Sequence, residues 1–338
     1  MIYYEKQALS WKGQEIMRQK ASKPANDGSV GVAYALLAYV AWGFLPIYWK
    51  LLDKVPAGEV LANRIFWSFV FVMGIIFVQG HWKTLKATMA NRTNRLAMFA
   101  CSIIISANWF IYIYAVHTDH LIEASLGYYI MPLFSVLLGM IFLKEKLNFW
   151  QSVAFVAASI GVCTITFQFG RVPWIALALT LTFGVYGLVK KLANVDSLTG
   201  LAMETAYVTP VALIYLSIVK GNQGTFLYAE WDLTTILLIG CGVATALPLL
   251  WFAQATRRVA LATVGFVQYV SPTISLAIGV FLFHEPFTGA HLISFAFIWS
   301  AVIIYMLANT KLFIWLQSRI WGVFGKRLPI ASQSDPSI

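Results

Sequence analysis

Charge is scarce in this sequence: Asp, Glu, Lys and Arg make up 11% of it, against roughly 25% in soluble domains. So little polar surface cannot cover a water-soluble globule of 338 residues, which makes lipid the principal solvent. No GxxxxGK[ST] phosphate loop is present, which argues against ATP-driven work by this chain alone. No His/Cys/Asp cluster has metal-ligand spacing, and no serine sits in a GxSxG elbow. His117 and His120 flank Asp119 in a short turn, where solvation is the expected role. Cysteine is rare as well: Cys101, Cys163 and Cys241 fall singly inside apolar runs without a CxxC, as buried small apolar residues would. No cofactor and no metal is expected. The net charge of +10 is spread between apolar runs rather than gathered in a patch, so it reads as membrane topology and not as a nucleic-acid surface.

What is present is apolar length. Ten runs of about twenty residues are long enough to cross a ~30 Å hydrocarbon layer as helices: 31–49, 60–78, 96–115, 123–143, 149–167, 173–189, 200–219, 234–255, 261–283 and 289–308. The loops between them are too short for a soluble catalytic domain. Residues 1–29 are polar and basic, without an apolar core of signal-peptide type, and Met17 opens a second candidate start (Met-Arg-Gln-Lys). Lys and Arg alternate by side: 19 fall with the two ends of the chain and the loops on that side, 4 on the other, and Arg64 lies within a run. Both termini are therefore expected in the cytoplasm, with the chain in a bacterial inner membrane. The tail 311–328 sets Phe313, Leu316, Ile320, Trp321 and Phe324 near helical spacing among basic residues, as in a helix lying on the cytoplasmic leaflet.

The chain also repeats itself. Residues 121–165 align without a gap on 261–305 at an offset of 140, with Tyr129, Pro132, Ser135, Gly139 and Glu145 meeting Tyr269, Pro272, Ser275, Gly279 and Glu285. One residue further, Trp42-Gly43 meets Phe183-Gly184 and Lys50 meets Lys191. An odd number of crossings per half inverts the second half, and aligned loops exchange basic residues accordingly. The expected architecture is all-α integral membrane: ten transmembrane helices as two inverted five-helix repeats, 30–168 and 169–309. A basic cytoplasmic segment (1–29) precedes them and an amphipathic cytoplasmic tail (310–338) follows. Inverted halves suit alternating access, because exchanging their conformations turns an outward-open form into an inward-open one. Pro132 and Pro272, paired by the repeat, each remove a backbone donor and are the candidate hinges.

The stretches AYVAWGFLPIYWKLL (38–52), EVLANRIFWSF (59–69), NWFIYIYAV (108–116), LIEASLGYYIMPL (121–133), TFGVYGLVKK (182–191), TGLAMET (199–205), ATALPLLWFAQATRR (244–258) and GFVQYVSPT (265–273) resemble the RarD family, in the EamA branch of the drug/metabolite transporter superfamily. The resemblance recurs in order over about 28–308. It implies the ten-helix fold and carrier activity towards small organic solutes, without naming a solute.

Arg64 and Glu204 are the charges that stand out. They are equivalents at the 140 offset, each five or six residues into its run and so roughly 9 Å below opposite surfaces. A charge at that depth must face protein or a wet cavity. Their different heights argue against a mutual pair. Glu123 is the expected structural partner of Arg64, and Lys190, Lys191 or Arg257 that of Glu204; solute contact or gating is the alternative role. Trp42, Asn108, Trp109, Tyr112, Tyr128, Tyr129, Trp251, Gln254, Gln268 and Tyr269 complete the candidates for a solute cavity, since aromatic walls with a few amides suit an amphipathic organic solute. Helix packing and interhelical hydrogen bonds are the competing reading for each. The function expected is a secondary transporter of a small metabolite, amino-acid-like solute or drug, proton-coupled or exchanging. The partners expected are that solute and membrane lipid, with a homodimer left open. Rival readings are a membrane enzyme acting on lipid or polyprenyl substrates, and a channel or sensor subunit.

Overall fold

Where water is scarce the backbone must bond to itself, and in this chain it does so as helices. The computed structural model describes residues 27–117, 120–169, 172–193, 195–222, 232–282 and 289–324. The basic leading segment, Asp119 and the far end of the tail, including Lys326 and Arg327, lie outside the described residues. Thirteen helices are described: α1 (Asp27–Lys50), α2 (Ala57–Gln79), α3 (Trp82–Ala90), α4 (Arg92–His117), α5 (Leu121–Phe142), α6 (Phe149–Phe169), α7 (Trp174–Ala193), α8 (Ser197–Asn222), α9 (Leu233–Arg258), α10 (Leu261–Gln268), α11 (Val270–Phe281), α12 (Gly289–Leu307) and α13 (Lys311–Phe324). No strand occurs among the described residues.

Each expected run coincides with a helix, with one interruption: the ninth breaks at Tyr269 into α10 and α11. Pro272 cannot donate to the Gln268 carbonyl four residues back, which frees the helix to break there. Pro132, its repeat partner, sits inside an unbroken α5. Helix ends follow local chemistry. Gly80, at φ 69, closes α2 in the left-handed region. Asn148 and Gln151 exchange side-chain bonds to each other's N–H at 2.9 Å at the start of α6. Asp232 accepts from the Thr235 N–H at the start of α9, which holds its carboxyl below the ordinary range.

Among the described residues, seven segments are long and apolar enough to span a bilayer: α1, α2, Arg92–Tyr112, α7, Ser197–Val219, α9 and Leu261–Phe281. Leu292–Leu307 with Lys311–Arg319, bent by 97°, is an eighth if taken together; Leu126–Phe142 and Phe149–Thr164 are shorter apolar helices. The outward face is oily, with Phe77, Val78, Phe167 and Phe281 more than 70% exposed, as lipid contact requires. Cys101 and Cys241 are buried as expected. Cys163 instead lies on that outward face.

Two cores organise the packing. Tyr39, Val72, Ile76, Met98, Tyr186 and Phe252 join α1, α2, α4, α7 and α9, with Leu201, Ala202 and Met203 of α8. A lateral core of Tyr129, Val136, Ala158, Phe266, Ile298 and Tyr305 joins α5, α6, α10 and α12. The most extensive helix pairs are α6 with α12, α5 with α7, α1 with α9, and α2 with α8. Small residues permit close approach: a Cβ on Gly242 of α9 would stand 2.3 Å from the Trp67 carbonyl carbon of α2.

Candidate functional site

Arg64 lies about 10 Å along α2. Its guanidinium stands over the Trp49 ring at 4.6 Å and the Trp109 ring at 5.1 Å, and Nε donates to Thr245 Oγ1 at 3.1 Å. Four helices (α1, α2, α4 and α9) thus converge on one cation. The phenols of Tyr112 and Tyr128, whose rings are 6.3 Å apart, are near enough to act electrostatically on it. The expected pair with Glu123 is not formed. Glu123 Oε1 accepts from the Ile175 N–H at 2.6 Å, taking one of the donors that the first turn of α7 leaves without a partner inside the helix. Glu123 also borders an open cleft of about 590 Å³ with Tyr114, His120, Val172 and Trp174.

Glu204, in contrast, finds a base named from the sequence. Lys190 Nζ meets Glu204 Oε1 at 2.6 Å, and the Tyr186 hydroxyl donates to Oε2 at 3.0 Å, with both charged side chains no more than 5% exposed. A small, mostly apolar void of about 10 Å³ lies beside Glu204. Trp109, Ile105, Leu249, Val208 and Glu204 line it. Trp109 therefore touches Arg64 and also lines the void beside Glu204. Beside the pair, Trp42 joins Tyr39, Phe183 and Phe252 in an aromatic cluster with centroid spacings of 5.3 to 6.4 Å. Tyr186 stacks on Phe252 at 6.0 Å.

The remaining candidates divide. Asn108 donates to the Leu179 carbonyl at 3.0 Å and to Thr182 Oγ1 at 2.8 Å, tying α4 to α7. Gln268 accepts a long bond, 3.5 Å, from the Tyr39 hydroxyl. Trp251 packs half-buried on the central core. Gln254 is held by Arg258 at the far end of α9. Tyr129 and Tyr269 fall in the lateral core, away from the central site. Tyr129 meets Phe295 at 5.7 Å, and the Tyr269 hydroxyl is buried without a hydrogen-bond partner among the described residues. Pro132 presses its carbonyl against Gly265. Trp49, Thr245, Tyr186, Phe183 and Phe252 were not foreseen. The offset that aligns Trp42 with Phe183 carried the one available signal for the last group, an aromatic at the equivalent position.

Below Glu204 the helix ends close over one another. Arg258 pairs with Asp27 at 3.2 Å and lies over Tyr34; Arg257 reaches Asp196 at 3.5 Å. Lys191 donates to the Thr256 and Val259 carbonyls and approaches Glu145 at 3.8 Å. Glu145 in turn accepts from the Leu261 and Ala262 N–H groups at 2.8 and 3.0 Å, capping α10. This layer lies at the end of the molecule that carries most of the basic loops.

A family profile described as the EamA-like transporter family matches residues 29–167 and again 172–307. The chain belongs to the EamA-like transporter family. Its similarity to RarD proteins, read above from motifs in nearly every span, agrees with this. An uncharacterized transporter, YojE, of Bacillus subtilis is 46% identical over 285 residues, covering 83% of this chain and 95% of that protein. Protein RarD of Escherichia coli K12 is 39% identical over 278 residues, covering 82% and 94%. A crystal structure sharing 16% identity superposes with a TM-score of 0.63 over 84% of this chain and 99% of its own, a likeness of fold alone. The relatives named here and the apolar helices together make this chain a multi-pass membrane protein of transporter type.

Proposed function

We propose that this protein is a secondary carrier that moves a small organic solute across the bacterial inner membrane by alternating access. Ten crossings form two inverted halves, 30–168 and 169–309, with both termini cytoplasmic. One observation carries the reading: contacts between the halves come in reciprocal sets. Helix α1 packs on α9 and on α10 and α11, while its repeat counterpart α7 packs on α4 and α5. Likewise α2 packs on α9 as α8 packs on α4, and α2 with α8, α5 with α10, and α6 with α12 are counterparts packed on each other. The reciprocity reaches single residues. Gly43 is pressed against Ile274, and their equivalents Gly184 and Phe134 are pressed together in the other half. A twofold axis in the membrane plane produces this pattern, and the double profile match supports it.

In this reading the solute lies between Arg64 and Glu204 against Trp109, with Trp42, Tyr112, Tyr128, Trp251 and Gln268 around it. The ion-paired layer below is the cytoplasmic gate, drawn shut, and Pro272 with its break at Tyr269 is the hinge. Purified protein in proteoliposomes should show saturable counterflow of its solute. A channel, a sensor subunit or a lipid-modifying enzyme would show none, and its absence over a broad solute panel would end the carrier reading. Proton coupling through Glu204 or Glu123 belongs to the same proposal, and flux unchanged by a pH gradient would remove that part.

A further inference from the structure

Arg64 and Glu204 occupy equivalent positions, yet their surroundings differ in one respect. The registration that sets Lys50 on Lys191 sets Trp49 on Lys190. The position that gives Glu204 its counter-ion at 2.6 Å thus gives Arg64 an indole face at 4.6 Å. The other neighbours of Arg64 are a second indole, the Thr245 hydroxyl, the Cys241 thiol and two phenols, none of them a carboxylate. No carboxylate lies within ion-pair distance of the guanidinium among the described residues. Thr245 engages Nε only, so the two terminal nitrogens present their N–H groups with no hydrogen-bond acceptor among the described residues. Arg64 is half-buried, and its terminal nitrogens are not among the fully buried polar atoms that lack a partner. The indoles of Trp49 and Trp109 hold the planar guanidinium in place, which preorganises it for a two-point contact.

We propose that Arg64 is the receptor for the carboxylate of an organic solute. The carboxylate takes the guanidinium fork in two parallel hydrogen bonds, and a planar apolar body stacks on Trp109; seating it requires the void beside Trp109, about 10 Å³ in this conformation, to widen. The inference rests on the carrier reading and narrows it to monoanions, because the site has one cation free to bind and the other, Lys190, is already engaged by Glu204. The counter-ion that the second half carries in its own sequence is, in the first half, brought by the cargo.

Matched pairs that differ only in charge test this. Benzoate and benzamide, phenylacetate and phenylacetamide, and indole-3-acetate and indole-3-acetamide are titrated by calorimetry and thermal shift into protein held in phosphatidylcholine nanodiscs. At least one carboxylate is expected to bind tenfold or more tightly than its amide, with the preference abolished in Arg64→Gln. Arg64→Lys keeps the charge and loses the fork, which covers a failure of Arg64→Gln to fold; it should lose severalfold in carboxylate affinity. No preference in any pair, or a preference undiminished in the lysine variant, overturns the assignment. So does an Arg64-dependent thermal shift from added phosphatidylglycerol that excludes the carboxylates, which would make the anion a lipid. Counterflow separates this inference from the reading beneath it. Counterflow of neutral solutes with no carboxylate preference leaves the carrier and removes the anion site. A carboxylate that binds through Arg64 but never exchanges does the reverse.

Discussion

Glu204, Lys190 and Tyr186 form a unit in which each polar group answers another, at a depth where none could stand alone. Removing one member leaves a desolvated partner without compensation, and breaking a buried pair in this way costs roughly 3 kcal/mol or more. Glu204→Gln and Lys190→Met should therefore each depress the thermal unfolding midpoint in detergent by several degrees. The double variant should be more stable than the sum of the two losses predicts, because the orphaned charge is then absent. Additive losses in the double-mutant cycle would show that the 2.6 Å contact carries no coupling. Position narrowed the partner of Glu204 to Lys190, Lys191 or Arg257, which fall near the same surface, but did not choose among them. The partners of Arg64 were not readable. Depth in the membrane follows from counting residues, whereas rotation about the helix axis follows from packing, and a tryptophan does not announce itself in a sequence as the neighbour of a cation.

Among the elements, the seam between α2 and α9 is the tightest that glycine permits. The Ser68 hydroxyl donates to the Gly242 carbonyl at 3.1 Å, and a methyl group at Gly242 would collide with the Trp67 backbone, which has no rotamer with which to retreat. Gly242→Ala is expected to push the helices apart and destabilise the protein by about 1–3 kcal/mol, the usual cost of overpacking. Gly74→Ala, with open space around the added carbon, should be neutral or slightly stabilising. Equal melting temperatures for the two variants would contradict this. Helix boundaries were legible within a few residues, because apolar runs in this chain end at Gly80, Pro56, Asn148 or Pro173, residues with turn or capping chemistry. Two features escaped. Helix α3 has nine residues and buries Leu85 alone, too little apolar surface to stand out from a basic loop. A bend was expected at both Pro132 and Pro272; that only the span of Pro272 breaks, at Tyr269, escaped because the two prolines have matching sequence positions and differ only in what surrounds them.

For the whole molecule, the carrier reading requires the ion-paired layer at the basic end to open. Thr256 is fully buried beneath it, with its carbonyl bonded to Lys191. In a background without Cys101, Cys163 and Cys241, Thr256→Cys should resist a membrane-impermeant maleimide applied to the cytoplasmic face. Adding Arg258→Gln, which removes the link to Asp27, should raise the labelling rate at least severalfold. Equal rates would mean that the layer is a fixed floor and not a gate. On the carrier reading the layer is the closed end of this conformation, and the cleft beside Glu123 the open one.

Helix α13 turns 97° from α12 and is fastened at the foot of α6, where the Trp150 indole donates to the Phe313 carbonyl at 2.8 Å and the two rings meet at 5.0 Å. On the reading that lays the tail along the headgroups, this strap, riveted to both lateral helices, works as a depth gauge: it sets how far that flank can sink before charged side chains enter oil. A bilayer thinner than the one this chain is built for would strain that corner before any other.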